Sequence, residues 1–268
     1  MSHAPAQPLH PSDPALSQAR LTPYLMEDGE NFACMLVLPG GGYRRIAWHE
    51  SVPVAGWLNS IGIAAAVLEY SVGEDEVLYP RPQQQALYAM RYLRAHAASL
   101  NIDPARIGVL GFSAGGHLAA CVAHGFDRAD WLLDPDGELG GVSARPDAAL
   151  LGYATLSADF CRQVGSYKRL LGEDVTREQA DFLSWDKHAH PQCAPMFLWH
   201  TAEDDGVPVE NAYLMALALQ TNKTPHELHV FPEGGHGRGL ASIGERREHA
   251  AVAQWRPLAE RWLLDRGF

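Results

Sequence analysis

Three groups of residues in this chain have the types and spacing to do chemistry together: a serine held between glycines, a glycine-flanked histidine far downstream, and a run of carboxylates between them. The serine is Ser113, in Gly111-Phe112-Ser113-Ala114-Gly115. A serine hydroxyl is a weak nucleophile at neutral pH. Using one requires that it be exposed, given a base, and matched with donors for the oxyanion that its attack creates. Small residues two before and two after the serine allow a turn sharp enough to hold the side chain clear of the flanking strand and helix. Alone, the motif would also fit a plain glycine-rich turn. The apolar run before it and the Ala-rich run after it favour the nucleophile, set at a helix N-terminus whose partial positive charge suits a developing anion.

Donors for that anion come in this arrangement from the residue after the serine and from a glycine-rich loop after an earlier strand. Ala114 is the first. Pro39-Gly40-Gly41-Gly42-Tyr43 is the loop, and Gly41 and Gly42 are the candidate donors, because glycine lets the backbone turn its amides inward and approach a substrate oxygen closely. Tyr43 and Trp185, together with Trp48, Tyr70 and Tyr79, lie near the loops or the later insertion and could stack on a sugar or bound an acyl pocket. Such aromatics more often pack a core.

The base must come from thirteen histidines. Partners of a serine at a strand-turn-helix junction follow in the order acid, histidine, each on a loop after a later strand. His236, in Phe231-Pro232-Glu233-Gly234-Gly235-His236-Gly237, satisfies that order as general base. His226 and His229 belong to the last strand or its start, His117 and His124 to the helix after Ser113, and His249 to the C-terminal helix. His200 reads as packing at a strand end. His188 and His190 could face a cleft, but no thiol or carboxylate at ligand spacing makes a metal site of them, nor of His3 and His10 in the N-terminal tail. For the acid, Glu203, Asp204 and Asp205 are adjacent. One carboxylate must accept the ring's other N–H and fix its tautomer; Asp204 is preferred, Asp205 is next, and the spacing leaves both open.

These residues need a frame to hold them. The chain alternates short apolar runs with amphipathic stretches, the pattern of βαβ units and a mostly parallel sheet flanked by helices. Strands are predicted at 32–38, 63–70, 107–110, 148–152, 196–200 and 227–231, and helices at 52–61, 83–99, 117–124, 209–220 and 247–264. Residues 111–116 form the glycine-bearing turn between strand and helix. The stretch 125–146 reads as loop. Residues 153–195 are too long for a plain connection and read as a lid-like insertion with short helices over one end of the sheet. Residues 1–20, rich in Pro and His, read as a flexible tail. One domain over 1–268 is expected at this length.

Composition narrows the class. A formal charge of −11 works against phosphate backbones and so against nucleic acid as a partner. No stretch approaches the roughly 20 apolar residues that span a bilayer. Cys34, Cys121, Cys161 and Cys193 are widely spaced without a CxxC pair, and no secretory signal is visible, which together predict a reducing, cytoplasmic compartment. A homo-oligomer is compatible with all of this.

Four motifs in order, Pro-Gly-Gly-Gly-Tyr at 39–43, Gly-Phe-Ser-Ala-Gly-Gly-His-Leu-Ala at 111–119, Asp-Asp-Gly-Val-Pro-Val-Glu-Asn at 204–211 and Phe-Pro-Glu-Gly-Gly-His-Gly at 231–237, resemble the α/β-hydrolase esterases known as acetyl xylan esterase or xylanase B-like, relatives of the hormone-sensitive-lipase and feruloyl-esterase groups. The resemblance runs from about residue 35 to the C-terminus. It implies the α/β-hydrolase fold and a Ser113–His236–Asp204 triad, since the family's His-x-x-x-Asp-x-x-Val-Pro falls on His200, Asp204, Val207 and Pro208; this favours Asp204 over Asp205. It also implies short acyl esters as substrates, acetyl groups on sugars or xylo-oligosaccharides among them, and no metal or organic cofactor. Pro39 stands where the lipase-type motif has His, a departure that touches lipase-like specificity more than hydrolysis. Formamidase, amidase and peptidase activities on the same scaffold, and a silent binding protein, are the alternatives.

Overall fold

The frame is set by a central strand that is apolar at every position. In the strand β3 (Phe32–Leu38), Cys34, Leu36 and Leu38 pack into one core, and Ala33, Met35 and Val37 into another on the opposite face. A strand buried on both faces belongs in the middle of a parallel sheet covered by helices. The computed structural model describes residues 6–74, 76–134, 136–161, 165–242 and 248–268. In chain order its strands are β1 (Gln7–Pro8), β2 (Arg20–Tyr24), β3, β4 (Ala64–Glu69), β5 (Ile102–Phe112), β6 (Ala149–Gly152), β7 (Met196–Thr201) and β8 (His226–Phe231). They form one eight-stranded sheet in the order β1-β2-β4-β3-β5-β6-β7-β8. From β4 to β8 all neighbours are parallel, and β1 and β2 are antiparallel.

The helices are α1 (Val52–Ser60), α2 (Arg81–Ala95), α3 (Ser113–Gly125), α4 (Ala158–Cys161), α5 (Gly165–Leu171), α6 (Arg177–Phe182), α7 (Glu210–Thr221) and α8 (Trp255–Leu264). Residues of α2, α3 and α7 pack into the first core, and α1 and α8 cover the other face through Val54, Leu58, Trp255, Trp262 and Leu263. Among the described residues no helix is long and apolar enough to cross a membrane.

Five differences from the sequence pattern have local causes. In the segment expected to be a flexible tail, residues 7–18 carry β1 and a 3-10 turn, with Leu9 and Leu16 buried; His3 lies outside the described residues. β2 is concealed in the sequence by Pro23, which cannot donate to a ladder. β1 pairs only with Arg20 and Leu21, so Pro23 sits at an exposed edge where the missing N–H is tolerated. β5 begins five residues before its expected start, because Phe32 pairs with Ile102 and the register then shifts so that Cys34 meets Ile107, looping out Asp103-Pro104. The last helix begins at Trp255, which puts Pro257 in its first turn rather than its interior; His249 precedes the helix, and Arg247 is outside the described residues. The turn expected over 111–116 shrinks to a junction, since β5 ends at Phe112 and α3 begins at Ser113.

The segment 153–195 is the β6 to β7 crossover. It holds α4, α5, α6 and a 3-10 turn, and Tyr167, Leu170, Ala180, Leu183 and Trp185 are buried in the first core. Of this segment, Thr155, Gly165, Ser166 and Arg169 line the cavity described below.

Two glycines make the junction possible by having no side chain. A Cβ on Gly111 would fall on the carbonyl of Gly115, and one on Gly115 would fall on the carbonyls of Leu38 and Pro39. Gly115→Ala is therefore expected to destabilise the fold by about 1 to 3 kcal/mol, measured as a lower thermal midpoint; an unchanged midpoint would contradict the close packing of α3 on the end of β3.

Candidate active site

All the chemistry-bearing loops leave the sheet at the C-terminal ends of parallel strands: the glycine loop after β3, Ser113 after β5, Asp204 after β7 and His236 after β8. This is the edge where open α/β sheets bind ligands. Ser113 adopts φ +52°, the left-handed region that a side chain enters only at a cost of about 1 to 3 kcal/mol. The strain turns its Cβ out of the helix path, at the N-terminus of α3.

The three expected partners meet. The Ser113 hydroxyl lies 2.9 Å from His236 Nε2, and His236 Nδ1 lies 2.7 Å from Asp204 Oδ2. An ionised carboxylate only accepts, so Nδ1 carries the proton and Nε2 is free to receive one from the serine. Asp204 Oδ1 takes the amides of Gly206 at 2.9 Å and Val207 at 2.7 Å. Burial pushes the Asp204 carboxyl up, but hydrogen bonds from His200 and His236 outweigh it and hold the group well below the ordinary carboxylate range. It is ionised at neutral pH, as an orienting acid must be. Asp205 and Glu203 are exposed, while the Asp204 side chain is 0% and the His236 side chain 31% accessible. The geometry selects Asp204.

His200 is more than packing. Its Nε2 is 2.9 Å from Val207 O and 3.2 Å from Asp204 Oδ2, and the ring is fully buried. It braces the same carboxylate oxygen that His236 contacts. Two further residues escaped sequence reasoning. Glu50 is buried and accepts the Gly40 amide at 2.7 Å and the Tyr153 hydroxyl at 2.6 Å. Tyr153 follows β6 directly and takes the Gly239 amide at 2.8 Å on its hydroxyl oxygen. Tyr153 could have been sought from its place just past a parallel strand next to the nucleophile strand; nothing in the residues around Glu50 marks it.

A cavity of about 390 Å³ opens over the serine, lined by Gly41, Gly42, Ser113, Ser166, Arg169 and His236 among others. Gly40 has spent its amide on Glu50, whereas among the described residues neither Gly41 nor Gly42 donates its amide to a protein acceptor. Ala114 occupies the first turn of α3, where amides have no partner within the helix. These are the three candidate oxyanion donors.

The two aromatics expected to face substrate do not line that cavity. Tyr43 is 1% exposed, its hydroxyl bonded to His117 Nδ1 at 2.9 Å and its ring edge-on to Tyr70. The positive φ of 57° at Tyr43 drives the ring inward. Trp185 is buried and stacked on His124, beside a separate cavity that His188 and His190 also line. Tyr70 and Tyr79 are likewise committed, to Pro39 O and to Trp131. Trp48 alone of the five is exposed, on the short turn that contributes His49 and Glu50 to the cavity wall.

A family model described as BD-FAE matches residues 24–139, and one described as the prolyl oligopeptidase family matches 140–257. A crystal structure of an acetyl ester-xyloside bifunctional hydrolase from Caldicellulosiruptor lactoaceticus superposes with a TM-score of 0.87 and 43% identity, over 98% of this chain and 96% of that one. Endo-1,4-beta-xylanase B of Butyrivibrio fibrisolvens is 36% identical over 221 residues, 82% of this chain. Acetylxylan esterase of Xylanibacter ruminicola is 27% identical over 84% of this chain. The chain spans 34% and 45% of the lengths of these two curated relatives.

Asp204→Asn should lower kcat by about 10⁴, the size of loss that follows when the histidine takes the wrong tautomer. Asp205→Asn should stay within about twofold, as exposed substitutions do. Steady-state kinetics on a simple acetyl ester separate the two; the reverse ranking would reassign the acid.

Proposed function

The chain belongs to the α/β-hydrolase esterases of the acetyl xylan esterase and xylanase B-like group, and from that membership we propose that it is a serine carboxylic-ester hydrolase that removes short acyl groups, acetyl foremost, from sugars such as xylo-oligosaccharides. The observation that carries the reading is the hydrogen-bonded run from Ser113 through His236 to buried Asp204, set at the wall of an open cavity. His236 takes the serine proton as Oγ attacks the ester carbonyl. The oxyanion is held by the Ala114, Gly41 and Gly42 amides, and the imidazolium by Asp204. Collapse expels the alcohol, which His236 protonates. Water then attacks the acyl-enzyme by the same route and frees the acid. No metal or organic cofactor enters this scheme.

The relatives named for acetylxylan and acetyl ester hydrolysis support acetylated sugars as the substrate class. The prolyl oligopeptidase match over 140–257 favours peptide or amide bonds as the second reading, since the triad sets acyl chemistry and the cavity sets the substrate. Cys34, Cys121 and Cys193 are buried and unpaired, which supports a reducing compartment such as the cytoplasm; the Cys161 side chain lies outside what the structure describes.

Ser113→Ala should cut hydrolysis of p-nitrophenyl acetate by at least about 10⁴ and abolish fluorophosphonate labelling, with an unchanged circular dichroism spectrum. Acetylated xylo-oligosaccharides should be turned over faster than octanoyl esters and peptide anilides. Undiminished turnover in the serine variant would sink the esterase reading, and faster cleavage of anilides would favour the second.

A further inference from the structure

Glu50 takes no part in the proton relay, yet its carboxylate is tied to the loops on both sides of it. Oε2 accepts the amide of Gly40 at 2.7 Å. Gly40 is pressed against the nucleophile: a Cβ there would stand 3.0 Å from the Ser113 Cβ and 2.7 Å from Phe112 O. Oε1 accepts the Tyr153 hydroxyl at 2.6 Å, and that oxygen takes the amide of Gly239, three residues past the base. The Tyr153 ring stands edge-on to His236 with centroids 5.1 Å apart. Beside it, His49 Nε2 lies 3.2 Å from Glu50 Oε1 and 3.1 Å from Gly237 O, a second bridge from the same turn to the histidine loop.

We propose that Glu50, acting through the Tyr153 hydroxyl, is a positioning residue that locks the glycine loop to the His236 loop and so sets the oxyanion donors against the reacting serine. The inference rests on the esterase reading above. Its physical basis is the position of the charge. Among the described residues no Lys or Arg lies within 4.0 Å of Glu50, and the residue is 2% exposed. A carboxylate kept from water without a strong cation is costly unless its lone pairs are filled by hydrogen bonds, and here one donor is the Gly40 amide of the glycine loop and the other is the Tyr153 hydroxyl, which in turn holds the Gly239 amide of the histidine loop. The Gly40 amide is thereby turned to Glu50, which leaves Gly41 and Gly42 to follow it into the cavity wall. Both oxygens must accept. A glutamine has the same shape but presents an NH₂ where one donor already points, so one of the two ties is lost without a cavity being created. Displacement of catalytic groups by about 1 Å costs on the order of 10² in rate, and loss of an oxyanion donor about 10² to 10³.

The test uses Glu50→Gln, Tyr153→Phe and the double variant, with a simple acetyl ester as substrate and active sites counted by the burst of the first turnover. We expect each single variant to lower kcat per titrated site by about 10- to 100-fold, with KM within about threefold and circular dichroism unchanged. The double variant should lose no more than the worse single one, because Glu50 and Tyr153 are links of one chain from Gly40 to Gly239 and breaking either link uncouples the two loops. If Glu50 merely stabilises the fold, the thermal midpoint drops while kcat per titrated site stays at the wild-type value; that result overturns the proposal, as do losses that multiply in the double variant. If Glu50→Gln does not fold, Tyr153→Phe alone carries the decision on the same kcat criterion. Activity that survives in Ser113→Ala defeats the esterase reading instead, so the two failures are told apart.

Discussion

The site depends on one close approach of backbone to backbone. The end of β3 and the start of α3 touch through glycines, with Gly115 lying against the carbonyls of Leu38 and Pro39 and Gly40 against Ser113 and Phe112. No side chain fits between them. The contact fixes how far the glycine loop stands from the serine, and it forces the serine into the left-handed backbone region at the mouth of a helix. Strand pairing of β3 with β5, in register from Cys34 and Ile107 to Leu38 and Gly111, carries the same constraint into the middle of the sheet. A parallel sheet with both faces buried is rigid enough to hold it.

Upon that constraint the polar groups are arranged by what burial does to charge. Asp204 stays ionised because two histidines and two amides outbid the loss of water. Other buried histidines go the opposite way: burial lowers His117 and His124 to about 4, so each is neutral near pH 7. The neutral His117 ring can then accept the Tyr43 hydroxyl on Nδ1 and donate to Leu183 O from Nε2. In this way α3 holds the glycine loop on one side and the β6 to β7 crossover on the other. The histidine in the relay, by contrast, keeps partial contact with solvent.

How much of this could be read from the residues depends on the range of the force involved. The parallel strands and the order of the three partners were legible, because apolar runs and glycine turns are local patterns. The choice between Asp204 and Asp205 was not settled by spacing; it rests on which carboxylate the turn at Gly206 and Val207 folds inward. Tyr43 and Trp185 misled because an aromatic near a functional loop in sequence can point either way, and a single backbone angle at Tyr43 decides it. β2 was hidden by a proline whose cost vanishes at an uncovered edge. Glu50 and Tyr153 meet across 103 residues of chain, a distance at which no periodicity speaks.

The crossover between β6 and β7 has one more bearing. Its early part forms a wall of the cavity, yet the same segment sinks Tyr167, Leu170, Leu183 and Trp185 into the core, and Arg169 reaches from α5 to Gly42 O at 3.3 Å. Swinging that wall aside would expose those side chains, at a cost on the order of 10 kcal/mol. The cleft is therefore walled by a segment whose other side chains help to build the core, so its shape is tied to the stability of the fold itself.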